Sequence, residues 1–141
     1  MSYFQPGIPS RSVATNPPAT LRVGSFPVET KDVTLLAGVV YQRGHVLGKI
    51  TSGANAGKWT VSTVPPVGGS DGSDVPAAIL EFDVDTSATG SDADTPANVA
   101  VTGEFDAAQL VYGATYTAAT VKAALEASKQ SLFLLDVAKT Y

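Results

Sequence analysis

Few side chains in this sequence are suited to catalysis, and their spacing does not assemble a reactive site. His45 is the only histidine among the 141 residues, and cysteine is absent. A Ser–His–Asp site would therefore have to use His45, and a thiolate metal site is excluded. No serine lies in a Gly-x-Ser-x-Gly turn, the motif that presents a nucleophile between a strand and a helix. The position of His45 between Gly44 and Val46 favours a structural or surface role over that of a general base.

Paired carboxylates are the next candidates for chemistry. Asp83 and Asp85 are two residues apart, as are Asp92 and Asp94, so in a strand each pair would project from one face. Such oxygen atoms can bind calcium, and two carboxylates are what a glycosidase requires. The sequence has no twelve-residue calcium loop ending in Glu, and one Trp is few for a sugar-binding cleft. We interpret these acids as a solvated strand edge, with calcium binding and glycoside hydrolysis as the alternatives.

The segment 53–58, Gly-Ala-Asn-Ala-Gly-Lys, superficially resembles a phosphate-binding loop. Its glycines enclose three residues where that motif has four, and Trp59 stands where Ser or Thr would hold magnesium. We therefore interpret 52–57 as a hairpin loop, and alternation places Trp59 with Val61 on a core-facing side. The sequence predicts no catalytic, cofactor-binding or metal-binding residue, no small-molecule substrate and no enzyme activity.

Composition predicts one folded domain with an acidic surface. Hydrophobic residues make up 44% and the mean hydropathy is +0.12, which is enough for a packed core. The net charge is −4, and no Lys or Arg occurs between Lys58 and Lys122, an interval with nine acidic residues. Such a body would repel phosphate backbones, so we expect no nucleic-acid partner. No apolar run is long enough to span a bilayer and no signal peptide is visible, so we expect no membrane partner and synthesis in the cytoplasm.

Residues 1–28 have the composition of an extended, flexible arm. They hold five of the nine prolines, and their apolar residues occur singly, without helical or alternating spacing. A chain with sparse apolar anchors is suited to adding a strand to the sheet edge of another protein, the alternative being an idle disordered tail. The candidate anchors are Tyr3, Phe4, Ile8, Val13 and Leu21.

Residues 29–141 have the pattern of a mainly β body, a β-rich α+β fold with one or two short helices. The predicted strands are 33–36, 39–41, 46–51, 58–64, 77–84, 98–105 and 132–137. A helix is predicted over 118–129 with Thr117 as its cap, and Asp106 can cap a shorter turn. The apolar run 132–135 predicts a buried strand. Short strands separated by turns at 65–76 and 86–96 favour a compact small β-barrel or a sandwich.

Several segments, in this order, resemble the lambda-type head decoration proteins of tailed bacteriophages. The resemblance extends over 33–137 and includes Gly-His-Val-Leu-Gly-Lys-Ile-Thr at 44–51, Gly-Lys-Trp at 57–59, a loop leading into Ala-Ile-Leu at 71–80, and Thr-Gly-Glu-Phe at 102–105. The closing helix and apolar strand at 117–135 also fit. The residues of this family pattern are Gly44, Val46, Leu47, Gly48, Lys49, Gly57, Lys58, Trp59, Gly103, Glu104 and Phe105.

The resemblance implies a β-tulip-like body and a structural role in the virion. Members of this family bind as homotrimers at threefold and quasi-threefold sites on the outside of the expanded capsid, and stabilise it against internal DNA pressure. Their N-terminal arm orders against the major capsid protein. The alternative is a β-rich carbohydrate- or receptor-binding module of a phage tail or cell surface, against which the aromatic content of 8% speaks.

Overall fold

A computed structural model describes residues 20–65 and 69–137. The strands are β1 Thr30–Leu35, β2 Val40–Tyr41, β3 Val46–Lys49, β4 Trp59–Val61, β5 Ala78–Leu80, β6 Val84–Asp85, β7 Thr95–Ala100, β8 Gly103–Asp106 and β9 Leu132–Leu135. A 3-10 turn follows β8 at Ala107–Gln109, and the helix α1 spans Ala118–Ala127. The predicted mainly β fold with a barrel is confirmed.

Five of the strands close into a barrel in the order β1, β4, β3, β5, β7. Strand β1 pairs antiparallel with β7 along its whole length, from Thr30 to Leu35. On its other side β1 runs parallel to β4, where the only register pair joins Leu35 to Trp59. The strands β2 and β6 form a small antiparallel ribbon, and β8 and β9 form a parallel pair.

The core has two parts, on either side of the barrel wall. Alternation along β3 sends Leu47 into the barrel and Val46 to the outside, where the helix and the β8–β9 pair cover it. The barrel interior is filled by Val33, Leu35, Tyr41, Leu47, Trp59, Ala78, Leu80 and Val99. Because residues 46–48 of β3 and all of β5 are buried on both faces, their sequences, Val-Leu-Gly and Ala-Ile-Leu, are continuous apolar runs and do not alternate.

The helix α1 begins and packs as the sequence predicts. The Thr117 side chain accepts the N–H of Thr120, whose hydroxyl accepts the N–H of Thr117 in return. Val121 and Leu125, one turn apart, are buried. Asp106 caps the 3-10 turn through the N–H of Ala108, at 3.0 Å, as predicted. Within the described ranges no helix has the length and apolar character needed to cross a membrane.

Two of the predicted strands are interrupted. The predicted strand 77–84 divides into β5 and β6, and 98–105 divides into β7 and β8. At the second break the Thr102 hydroxyl accepts the N–H of Glu29 at 2.8 Å and donates to the carbonyl of Pro27 at 2.9 Å. These side-chain bonds replace ladder bonds at that point. Strand β7 begins earlier than predicted, because Pro96 is accommodated opposite Thr34.

Candidate interaction site

Residues 21–23 belong to the body, not to an external arm. Leu21 is 2% exposed, and its carbonyl accepts the N–H of Asp106 at 3.0 Å. The N–H of Val23 donates to the carbonyl of Glu104 at 2.9 Å, so this segment runs antiparallel beside β8. The prediction that Leu21 is a capsid-binding anchor is wrong, because its side chain fills the core of its own body. Composition predicts an arm that ends at residue 28, but the packed chain already includes residue 21.

The other four arm residues lie outside the described residues. Tyr3, Phe4, Ile8 and Val13 precede residue 20, where the described structure begins. Their role as anchors therefore stays a prediction from the sequence.

Glu104, from the family pattern, fixes the chain that follows residue 23. Its carboxylate oxygen Oε1 accepts the N–H groups of Ser25 and Phe26, each at 2.9 Å. Gly24 lies against this carboxylate with φ of +70°, and a Cβ there would be 2.2 Å from the same oxygen. Glycine tolerates both the positive φ and the close approach. The turn formed in this way sets the position of Phe26.

Phe26 packs against β9 at the surface. Its ring meets that of Phe133 edge to face, with 5.1 Å between the centroids and an interplanar angle of 68°. Both rings stay partly exposed, Phe26 at 39% and Phe133 at 43%. Glu104 thus holds one aromatic residue against another on an accessible face.

Strand β9 is buried on one face only. Leu132 and Leu134 point into the core, whereas Phe133 and Leu135 are exposed, and exposed Val137 follows. The prediction of a buried strand is therefore confirmed for Leu132 and Leu134 and wrong for Phe133 and Leu135. Within the described residues only β8 pairs with β9, so the other edge of β9 is open. A groove of about 380 Å³ runs between that edge and α1.

The remaining family-pattern residues build turns and packing. Gly48 in β3 allows the close approach of the 73–75 backbone, because a Cβ there would lie 2.1 Å from the Ser73 carbonyl oxygen. Trp59 is 6% exposed, which confirms its predicted place in the core. Lys58 pairs with Asp94 at 2.7 Å, linking β4 to the loop before β7. Val46, Leu47 and Lys49 lie in β3, Gly44 and Gly57 in turns, and Gly103 and Phe105 in β8.

The histidine and the paired acids serve local structure in the described parts of the chain. His45 Nδ1 accepts the N–H of Gln42 at 2.7 Å, and burial lowers the pKa of His45. Asp83 accepts the N–H of Arg43, whereas Asp85 binds Ser87, whose hydrogen bonds lower the pKa of Asp85. These two acids therefore hold different turns and do not act as a pair. Among residues 20–65 and 69–137, no three His, Asp or Glu side chains are grouped to hold a metal ion.

Comparison with known families extends over the part of the chain that forms this body. The family described as bacteriophage lambda head decoration protein D matches residues 19–133. The match begins one residue before the described structure, where the chain joins β8. A search of curated protein sequences finds no match. Because the matched range includes the barrel, the helix and most of the β8–β9 pair, the chain belongs to the bacteriophage lambda head decoration protein D family.

Proposed function

We propose that this head decoration protein binds as a homotrimer at threefold and quasi-threefold sites on the outside of the expanded capsid. There it stabilises the shell against the pressure of the packaged DNA. The observation that carries this proposal is the family match over residues 19–133, which assigns the body to phage head decoration. The protein works by binding, with the major capsid protein as its partner and the virion surface as its location.

The stabilisation follows from mass action. A protein that binds the intact lattice more tightly than separated capsomers shifts the equilibrium toward the lattice. Three arms on one trimer bind with avidity, so a modest affinity for each arm is sufficient.

The arm supplies the reach for this contact. The 19 residues before residue 20 can span at most about 65 Å when extended. Strand addition to a capsid sheet would use main-chain hydrogen bonds, with Tyr3, Phe4, Ile8 and Val13 filling side-chain pockets.

The test compares the full chain with a truncation that lacks residues 1–19 and keeps Leu21. Both are mixed with empty, expanded heads of the parent phage that lack the decoration protein. We expect the full chain to sediment with the heads and to appear as trimeric knobs at threefold positions in electron micrographs. The truncated chain should retain its melting temperature and its trimeric mass by light scattering, yet bind at least tenfold more weakly. Equal binding by the two chains would contradict the role of the arm.

A further inference from the structure

We infer that a basic groove beside β1 binds an acidic segment of a neighbouring copy in the trimer. The groove, here called the β1–β4 groove, has a volume of about 300 Å³, and Lys31, Lys49 and Trp59 are among the residues that line it. Its occupant is a second copy of this chain, bound through carboxylates that lie between Lys58 and Lys122 in the sequence. This inference rests on the proposed homotrimer and names a contact between its copies.

The groove exists because β1 and β4 are in register at one point only. Strand β4 meets β1 where Leu35 is opposite Trp59, whereas β1 stays paired with β7 back to Thr30. The backbone groups of successive residues in an antiparallel strand alternate between its two sides, and the N–H of Leu36 points to β4. The N–H and C=O of Asp32, four residues earlier, therefore point to the same side, where no strand of the described chain is in register with them. This part of the β1 edge is open to an added extended segment.

Two lysines without a carboxylate partner give the groove its charge. Lys31 Nζ lies 5.9 Å from the centroid of the Trp59 ring, and Lys49 is the register partner of Trp59 on β3. Both lysines are exposed, and neither forms an ion pair within 20–65 and 69–137, whereas two other lysines of the body each bind an aspartate. The Asp32 carboxylate, which also lines the groove, accepts the side-chain amide of Asn98 at 2.9 Å.

The charge of the groove determines the chemistry of its occupant. Two ammonium groups against one carboxylate leave the groove positive on a chain whose net charge is −4. Positive and negative surfaces attract across an interface, and the unpaired lysines supply the attraction that an acidic segment needs. The open edge of β1 adds main-chain groups that can hold such a segment in an extended conformation.

A second copy of the chain supplies the acidic surface that the groove requires. In a threefold ring the rotation brings one surface of each copy against a different surface of the next, so two unlike surfaces must meet. Two acidic surfaces would repel each other, and a basic surface is therefore needed on one side of the contact. The interval between Lys58 and Lys122 holds nine acidic residues and no Lys or Arg, so both halves of such a contact are present in this chain.

The first test changes the charge of the groove in the full-length chain. The double variant Lys31→Gln/Lys49→Gln is compared with Lys31→Arg/Lys49→Arg, which keeps both charges, and with Lys129→Gln, the matched control for an exposed lysine that follows α1. We expect the glutamine variant to bind empty expanded heads about fivefold more weakly, because each copy loses contacts with its neighbour, and the other two to bind like the wild type. The difference should shrink in about 1 M salt, which screens charges. Melting temperatures confirm that all variants are folded.

The second test identifies the occupant by chemical cross-linking. Heads decorated with equal amounts of unlabelled and heavy-nitrogen-labelled chain are treated with a water-soluble carbodiimide. This reagent joins a lysine amine to a contacting carboxylate as an amide and takes up the released water as a urea. A cross-linked peptide pair with one light and one heavy member comes from two copies. We expect mass spectrometry to find such mixed pairs that join Lys31 or Lys49 to an acidic residue between 59 and 121.

The outcomes separate this inference from the proposed function. If the wild-type chain does not bind heads, the proposed function fails, and the inference fails with it. If it binds but Lys31 and Lys49 cross-link to the shell protein, the occupant is the shell, and the inference is overturned while the proposed function stands. The absence of mixed pairs, or wild-type binding by the glutamine variant, overturns the inference in the same way. Equal weakening by Lys129→Gln also overturns it, since any lost lysine would then have the effect.

Discussion

Replacing Leu21 with alanine tests whether residue 21 is part of the packed body. The side chain is 2% exposed and belongs to the core cluster that includes Phe105, Val121 and Leu132. The substitution removes three carbon atoms, worth about 2.4 kcal/mol of transfer free energy at about 0.8 kcal/mol each. Backbone hydrogen bonds from Asp106 and Val23 hold the segment in place, so the cavity cannot fully collapse. We therefore expect the free energy of unfolding to fall by about 3 kcal/mol.

Urea unfolding followed by tryptophan fluorescence measures this loss. Trp59 is the only tryptophan and is buried, so its emission reports exposure of the barrel interior. With a denaturant slope of about 2 kcal/mol per M, the midpoint should fall by about 1.5 M. Protein concentration must be held constant, because association contributes to the apparent stability of an oligomer.

Ile8→Ala is the control, since Ile8 is a predicted arm anchor. We expect its free energy of unfolding to match the wild type within about 0.5 kcal/mol, as is usual for substitutions outside the core. If Leu21→Ala unfolds at the wild-type urea concentration, residue 21 contributes no core packing and the reasoning that extends the body to this residue is refuted.

Two further substitutions probe polar groups, one buried and one half-buried. Ser62 Oγ is buried and has no hydrogen-bond partner among the described residues. In urea unfolding, Ser62→Ala should therefore leave the free energy of unfolding unchanged or raise it by up to about 1 kcal/mol. A loss above about 1 kcal/mol would show that the hydroxyl does have a hydrogen-bond partner. Burial lowers the pKa of His45 in the folded state, so the unfolded chain takes up the proton first. The contribution of neutral His45 to the free energy of unfolding is therefore complete above the pKa of the unfolded chain, about 6.5. It is lost as the pH falls from that value toward the lower pKa of the folded protein. The melting temperature should drop more between pH 7.5 and 5.5 in the wild type than in His45→Asn, and equal drops would contradict this role.

Features determined by neighbouring residues could be predicted from the sequence. The apolar spacing and the Thr117 cap predict α1, because both act within a few residues of the chain. Asp106 caps its turn for the same reason. The fold class follows from short β-prone runs between turns, which do not depend on how the strands pair.

Features determined by distant pairing could not be predicted in this way. Leu21 is a single apolar residue near prolines, and its burial depends on β8, more than 80 residues away along the chain. Glu104 belongs to a recognisable motif, but its role requires the turn at 24–26 to lie beside it. Phe133 is exposed because only one face of β9 is covered by other elements. An apolar run of residues does not show whether one face of a strand is covered or both.

The pairing of β1 makes the barrel mechanically uneven. Six register pairs join β1 to β7, whereas a single one joins it to β4. The cylinder is therefore a curled sheet whose two margins touch at Leu35 and Trp59. When the barrel opens locally, β1 should separate from β4 while it stays paired with β7. The N–H of Leu36 donates to the carbonyl of Trp59 across the β1–β4 contact, so such an opening exposes this N–H to solvent.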